Sequence, residues 1–173
     1  MDKLKTIFID RDGVINHERN DYVKSISELE IFPNVVKNIE LLKNAGFLVV
    51  VITNQSAINR GLVTHEMVHK IHNSIQNHLK KNGTSVDGFF YCPHKPDENC
   101  ICRKPKSGLL NKAILELNID VNSSWMIGDN DSDIEASTSI GCKAIKISNN
   151  FSLDNAVHKI LNYISQLTNL AHF

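Results

Sequence analysis

The 173-residue sequence predicts an α/β protein: a single-domain, Rossmann-like parallel sheet with helices on both faces. Three observations carry this. Short apolar runs alternate with longer segments of helical period. Turn and capping residues such as Gly46, Thr64, Gly83 and Ser107 punctuate them. The alternation of strand and helix implies parallel strands covered on both sides. No repeat, low-complexity tract or Pro/Ser-rich linker interrupts the pattern, and residues 1–173 read as one domain with a sizeable core.

Leu4 to Ile9 reads as a buried strand that ends at Asp10. A helix follows from about Pro33 to Ala45, with proline in its first turn and Gly46 as its stop. Phe47 to Ile52 is apolar and β-branched, a second strand. Thr64 can cap a long helix whose core stripe is Val68, Ile71, Ile75 and Leu79. Its histidines His65, His69, His72 and His78 lie mostly off that stripe and read as a solvated face. Phe89 to Cys92 is a short strand, and Ser107 caps a helix carrying Leu110, Ile114 and Leu117. Trp125 to Ile127 is a strand, Asp131 to Ile140 a helix, Ala144 to Ile147 a last strand, and about 153–167 a terminal helix. Cys142 reads as core packing, while His158 and His172 suggest no partner.

The 19 basic and 19 acidic residues cancel. Such a chain lacks the broad positive field that nucleic-acid binding needs, so attraction for an anion must be local. Its longest apolar runs are too short to cross a bilayer. Acids break the apolar stretch of MDKLKTIFIDRDG, which does not read as a signal peptide. These features predict a cytoplasmic monomer that binds neither nucleic acid nor membrane. In that reducing setting, the four cysteines read as thiols or metal ligands.

Ligands of parallel α/β sheets bind beyond the carboxyl ends of the strands, so the residues there carry the chemistry. Asp10-Arg11-Asp12-Gly13 follows the first strand. Two acids at that spacing can share a divalent cation and a phosphate, and the glycine allows close backbone approach. A solvated acidic turn is the plain alternative. Thr53-Asn54-Gln55-Ser56 follows the second strand, where a hydroxyl and amides can donate to phosphoryl oxygens, or simply form a turn. Arg103-Lys104-Pro105 precedes a helix. Magnesium and a lysine offset the repulsion between a phosphate and two carboxylates. Gly128-Asp129-Asn130-Asp131-Ser132-Asp133 follows the fourth strand. Asp129 would complete a magnesium site with Asp10, with Asp133 in support or serving only as a helix cap.

Cys92-Pro93-His94 and Cys100-Ile101-Cys102 place four soft ligands within eleven residues. Three thiolates and an imidazole suit tetrahedral zinc, and four protein ligands leave no open position, so the ion is structural. A redox pair at Cys100 and Cys102, or free thiols, are the competing readings. Zinc in the 92–102 loop would hold Arg103 and Lys104 over the phosphate.

Taken together in order, the four segments resemble the motifs of the haloacid dehalogenase (HAD) superfamily of phosphatases, from Leu4 to about Ile147. The resemblance implies that Asp10 is a nucleophile that carries the phosphoryl group, and that Asp12 is a general acid and base. It implies that Thr53 and Lys104 hold phosphoryl oxygens. Magnesium would be bound by Asp10, by the backbone carbonyl of Asp12, and by Asp129.

Asp-Arg-Asp-Gly with the zinc loop also resembles two narrower families, the D-glycero-D-manno-heptose 1,7-bisphosphate 7-phosphatases and the histidinol-phosphate phosphatases. Asn54-Gln55-Ser56 with Arg60-Gly61, and Asn16 with Asp21-Tyr22-Val23, look like the heptose enzymes. That implies a small sugar phosphate used in heptose-precursor synthesis; histidinol phosphate or another sugar phosphate is the alternative. The substrate contacts implied are Arg11, Asp21, Tyr22, Asn54, Gln55, Ser56, Arg60, Arg103 and Asn130. Ala57 departs from the family's glycine, and Asn130 stands where many members carry lysine. Arg103, Arg60 and Arg19 are then the cations available to a distal phosphate. A non-catalytic zinc module would have lost motif residues, and none is missing. The segments after Asp12 and Gln55 leave no room for a cap domain, so loops 16–22, 55–63 and the zinc loop should enclose the site.

Overall fold

The computed structural model describes residues 3–170; His172 and the first two residues of the N-terminal stretch lie outside them. Five strands form one parallel sheet: β1 (Thr6–Ile9), β2 (Leu48–Asn54), β3 (Gly88–Cys92), β4 (Trp125–Gly128) and β5 (Lys143–Lys146). Their order is β3-β2-β1-β4-β5. The helices are α1 (Val35–Asn44), α2 (His65–Lys81), α3 (Gly108–Leu117), α4 (Asp131–Thr138) and α5 (Leu153–Leu170).

Successive side chains of a strand point to opposite faces, and β1 divides accordingly. Ile7 and Ile9 join a core with Leu42 of α1, Ile71, Ile75 and Leu79 of α2, and Ile160 of α5. Phe8 joins the other core with Val50, Ile52, Met126, Leu110 and Ala113 of α3, and Ala136 of α4. The chain first builds β2 and β3 on one side of β1, then returns to lay β4 and β5 on the other. This reversal opens a crevice at the carboxyl ends of β1 and β4, the usual ligand position in such sheets.

The predicted elements stand within three residues of their expected bounds. β1 starts later than expected, because Leu4 is displaced into an isolated bridge with Ile119. Gly46 ends α1 with φ +80, a conformation that disfavours other residues. Thr64 caps α2 by accepting from the Met67 amide at 3.1 Å. Ser107 precedes α3 but makes no side-chain cap; its hydroxyl accepts from Asn111 Nδ2 instead. His72 corrects the solvated-face expectation: it is buried and stacks on Phe89 at 4.6 Å. Cys142 is buried in the second core as expected. No helix among the described residues is long and apolar enough to cross a membrane.

Candidate active site and Cys/His centre

Strand ends gather most of the predicted residues around one cavity of about 430 Å³. Asp10 follows β1 and Thr53 lies near the end of β2, both lining the cavity, while Asp129 follows β4 and lines the neighbouring one. Lys104 arrives from the loop before α3, and its Nζ lies 2.9 Å from Asp10 Oδ1 and 2.5 Å from Asp133 Oδ1. The same ammonium donates to the carbonyl of Ile52 at 2.7 Å. Asn54 holds the lysine's backbone by two bonds, accepting from its N–H and donating to its carbonyl, both at 3.1 Å. Asn54 thus spends its amide on Lys104, although it also lines the cavity.

Asp10, Asp129 and Asp133 bring carboxylate oxygens within 4.8 Å of one another. Burial, then the Lys104 and Asp133 charges acting in opposite directions, leaves the Asp10 pKa pushed up to about 6. Burial and the Asp10 charge push Asp129 up to about 6 as well. Lys104 behaves in the opposite sense: burial alone would lower its pKa, but Asp10 and Asp133 outweigh it and hold the ammonium charged. One lysine therefore faces three acids. Asp129 Oδ1 is buried with no hydrogen-bond partner among the described residues. An all-oxygen donor set with excess negative charge and an orphaned acceptor fits a hard divalent cation such as magnesium.

Glycines clear this space. A Cβ on Gly13 would lie 2.1 Å from Asp129 Oδ2, and its φ of +80 also resists substitution. Asp133 has two tasks, since its Oδ2 also accepts from the Asn130 N–H at 3.1 Å and caps α4. Asp133 thus meets the cap expectation with one oxygen and faces Lys104 with the other.

Asp12 sits in a ring of donors. Its Oδ1 accepts from Arg11 Nη2 at 2.8 Å and Asn16 Nδ2 at 2.9 Å, and its Oδ2 from Gln55 Nε2 at 2.8 Å. Gln55 also donates to Thr53 Oγ1 at 2.9 Å, which couples the ends of β1 and β2. Burial alone would raise the Asp12 pKa, but the Arg11 guanidinium and these hydrogen bonds hold it below the usual carboxylate value. Arg11, expected at the substrate, has a side chain only 1% exposed that is committed to Asp12. Behind it, Nη1 lies 3.4 Å from His72 Nε2. Burial first, then the Arg11 and His69 charges, depress the His72 pKa to about 3, so this imidazole is neutral.

Tyr22, Ser56, Arg60, Arg103 and Asn130 line the cavity as expected. Tyr22 does so from a left-handed backbone conformation, φ 67. Asp21 does not line it; its carboxylate pairs with Lys24 and, at 3.3 Å, with Arg19 Nε. Glu18, Asn20 and Ser132 line the cavity without having been singled out in the sequence. They lie beside predicted residues, but short polar types in loops carry no signal of their own. The enclosure is made by loops around 18–23, 54–60 and 103–104, the expected zinc loop 92–102 itself staying off the cavity wall, and no cap domain covers it among the described residues.

Cys92, His94, Cys100 and Cys102 converge just beyond β3. Cys102 Sγ lies 3.2 Å from Cys92 Sγ, 3.5 Å from Cys100 Sγ and 3.3 Å from His94 Nδ1. A tetrahedral ion with 2.3 Å bonds to sulfur would separate its ligands by about 3.8 Å, so a small adjustment accommodates zinc. No disulfide joins these cysteines. The Arg103 amide donates to Cys100 Sγ at 3.4 Å and its Nη1 to the His94 carbonyl at 3.1 Å. The cluster therefore grips the residue next to Lys104 by both backbone and side chain.

Known proteins agree with this geometry. A family model described as HAD-hydrolase-like matches residues 101–166. A crystal structure of D,D-heptose 1,7-bisphosphate phosphatase from B. bronchiseptica, complexed with magnesium and phosphate, superposes with a TM-score of 0.85 at 29% identity, covering 92% of this chain and 99% of that one. Fold and relatives together define a phosphoric monoester hydrolase of the HAD-like class.

Among curated relatives, the D-glycero-beta-D-manno-heptose-1,7-bisphosphate 7-phosphatase of Pseudomonas aeruginosa is 36% identical, over 82% of this chain and 79% of its own. Photorhabdus laumondii has two relatives, both 35% identical. The one named for the beta anomer spans 95% of this chain and 93% of its own, and the one named for the alpha anomer 80% and 79%. The chain belongs to the D-glycero-D-manno-heptose-1,7-bisphosphate 7-phosphatase family.

Proposed function

We propose that this chain hydrolyses the 7-phosphate of D-glycero-D-manno-heptose 1,7-bisphosphate, with magnesium, through an aspartyl-phosphate on Asp10. The observation that carries the mechanism is the position of Lys104, 2.9 Å from Asp10 and beside three clustered acids. Its charge keeps Asp10 available as a carboxylate and meets the incoming phosphoryl oxygens.

An Asp10 oxygen attacks phosphorus, and the bond to the sugar's terminal oxygen breaks. The negative charge of the bound phosphate favours a protonated Asp12, which takes its proton from solvent as the substrate enters and delivers it to that leaving oxygen, giving heptose 1-phosphate. It then takes a proton from the water that attacks the acyl phosphate, releasing inorganic phosphate and restoring Asp10. Thr53, Lys104 and the 54–56 segment hold the transferred oxygens. Asp10, the Asp12 carbonyl and Asp129 would hold magnesium, which supplies charge neutralisation at the phosphoryl group. Asp133 acts through Lys104. The four-ligand Cys/His cluster holds zinc in a structural role.

The distal phosphate at C1 falls to Arg60 and Arg103, with Arg19 also lining the cavity. The relatives' names carry the substrate assignment, and heptose-precursor synthesis in the cytoplasm is the setting it implies. Equal identity to a beta-named and an alpha-named relative leaves the C1 configuration to experiment. A phosphate-release assay over both anomers of the bisphosphate, histidinol phosphate and simple sugar phosphates tests the reading. One heptose anomer should lead the panel by kcat/KM; a lead by histidinol phosphate would overturn the substrate assignment.

A further inference from the structure

The start of α2 carries two histidines outside the catalytic cavity. His65 and His69 stand four residues apart, so they share one face of the helix. Both turn a nitrogen toward the phenol of Tyr91 on β3. His65 Nδ1 lies 2.9 Å from Tyr91 Oη, and His69 Nε2 lies 3.2 Å from it. Glu66, between them in sequence, points elsewhere and pairs with Lys70 at 2.7 Å. The histidines are exposed and border an open cavity of about 580 Å³.

We propose that His65, His69 and Tyr91 form a second transition-metal site, distinct from the Cys/His cluster and from the catalytic acids. Two imidazoles suit zinc, copper or nickel rather than magnesium, and the phenol would join them as phenolate, its proton passing to solvent as the ion binds. Pairs four apart on a helix can present both nitrogens to one ion. The third donor comes from another element, so an ion here would tie α2 to β3. That strand is the sheet's edge, paired with β2 alone among the described residues, and Tyr91 directly precedes Cys92. Glu66 is engaged by Lys70, and the role these three ligands fit is a clamp between α2 and β3.

Zinc itself is the probe, because it cannot displace a different ion from the cysteines. Full-length protein with its Cys/His cluster already zinc-loaded is dialysed against rising zinc in saturating magnesium, which occupies the acidic site. Bound zinc and Tm are both read. A second equivalent should bind and raise Tm. His65→Ala and His69→Ala should each lose the equivalent and the Tm gain, with the first zinc retained. Tyr91→Phe should weaken the second site without affecting the first. The substituted histidines are exposed, so these variants should fold normally, and a Tm of the zinc-loaded protein in low zinc equal to the native value confirms it. Absence of a second equivalent in the native chain, or its persistence in either histidine variant, would overturn the proposal.

Discussion

Arg11 Nη2 donates to Asp12 Oδ1 at 2.8 Å, and the arginine side chain is sealed from solvent behind that contact. A residue next to the proposed nucleophile thus serves the proposed acid and base. Replacing it with Met should leave the partly exposed Asp12 without its cation and cost about 1.5–3 kcal/mol of stability, the scale of a hydrogen bond to a charged group. Urea unfolding measures this; unchanged stability would contradict the pairing. His72→Gln should retain most activity by offering Arg11 an amide oxygen, whereas His72→Leu should lower kcat with little change in KM.

The Cys/His cluster binds Arg103 through the His94 carbonyl and Cys100 Sγ. Cys100→Ser should lose bound zinc, lower Tm and weaken inhibition by inorganic phosphate together. Zinc analysis, a melting curve and a phosphate inhibition constant check this. Zinc loss with unaltered phosphate inhibition would sever the cluster from the site.

Arg103→Ala should harm a bisphosphate more than a monophosphate. A charge-assisted contact is worth roughly 1.5–3 kcal/mol, so kcat/KM on the bisphosphate should fall about tenfold to a hundredfold or somewhat more. Equal losses on both substrates would confine Arg103 to the reacting phosphate.

Asp10 and Asp129 both have pKa values of about 6 in the metal-free chain, above the carboxylate value of 3.8. The folded chain therefore holds these protons more tightly than the unfolded chain does. The stability this contributes is present below about pH 4 and lost as pH rises through about 6. Magnesium competes with the same protons. Its stabilisation, read as a Tm shift on adding the ion, should be small at pH 4.5, grow through pH 6 and level off above. A shift independent of pH would place magnesium elsewhere.

Most of the fold was legible because parallel strands buried on both faces are apolar throughout, as in the β2 run Leu48–Ile52. The acids and lysine were legible because they follow strands or precede helices. The Cys/His cluster was legible from local spacing alone. What was hidden depends on distant partners. Arg11 and His72 lie 61 positions apart, and nothing local says that an arginine beside a nucleophile is buried or that one of four helix histidines turns inward. Asp21 shows the converse: Lys24, three residues on, pairs with a carboxylate expected at the substrate. Asn54 was half-legible, in the cavity as expected but bonded to the Lys104 backbone from 50 positions away.

The central claim is that Asp10 carries the phosphoryl group. Heptose 1,7-bisphosphate labelled with phosphorus-32 at C7 is mixed with enzyme, quenched in acid within one turnover, and the chain is digested. Label should appear on the peptide containing Asp10, and borohydride should release it while converting that aspartate to homoserine. Asp10→Asn should show neither label nor appreciable turnover, a loss of several powers of ten. Rapid phosphate release with no labelled peptide at any time, or a folded Asp10→Asn protein that keeps its turnover, would contradict the account.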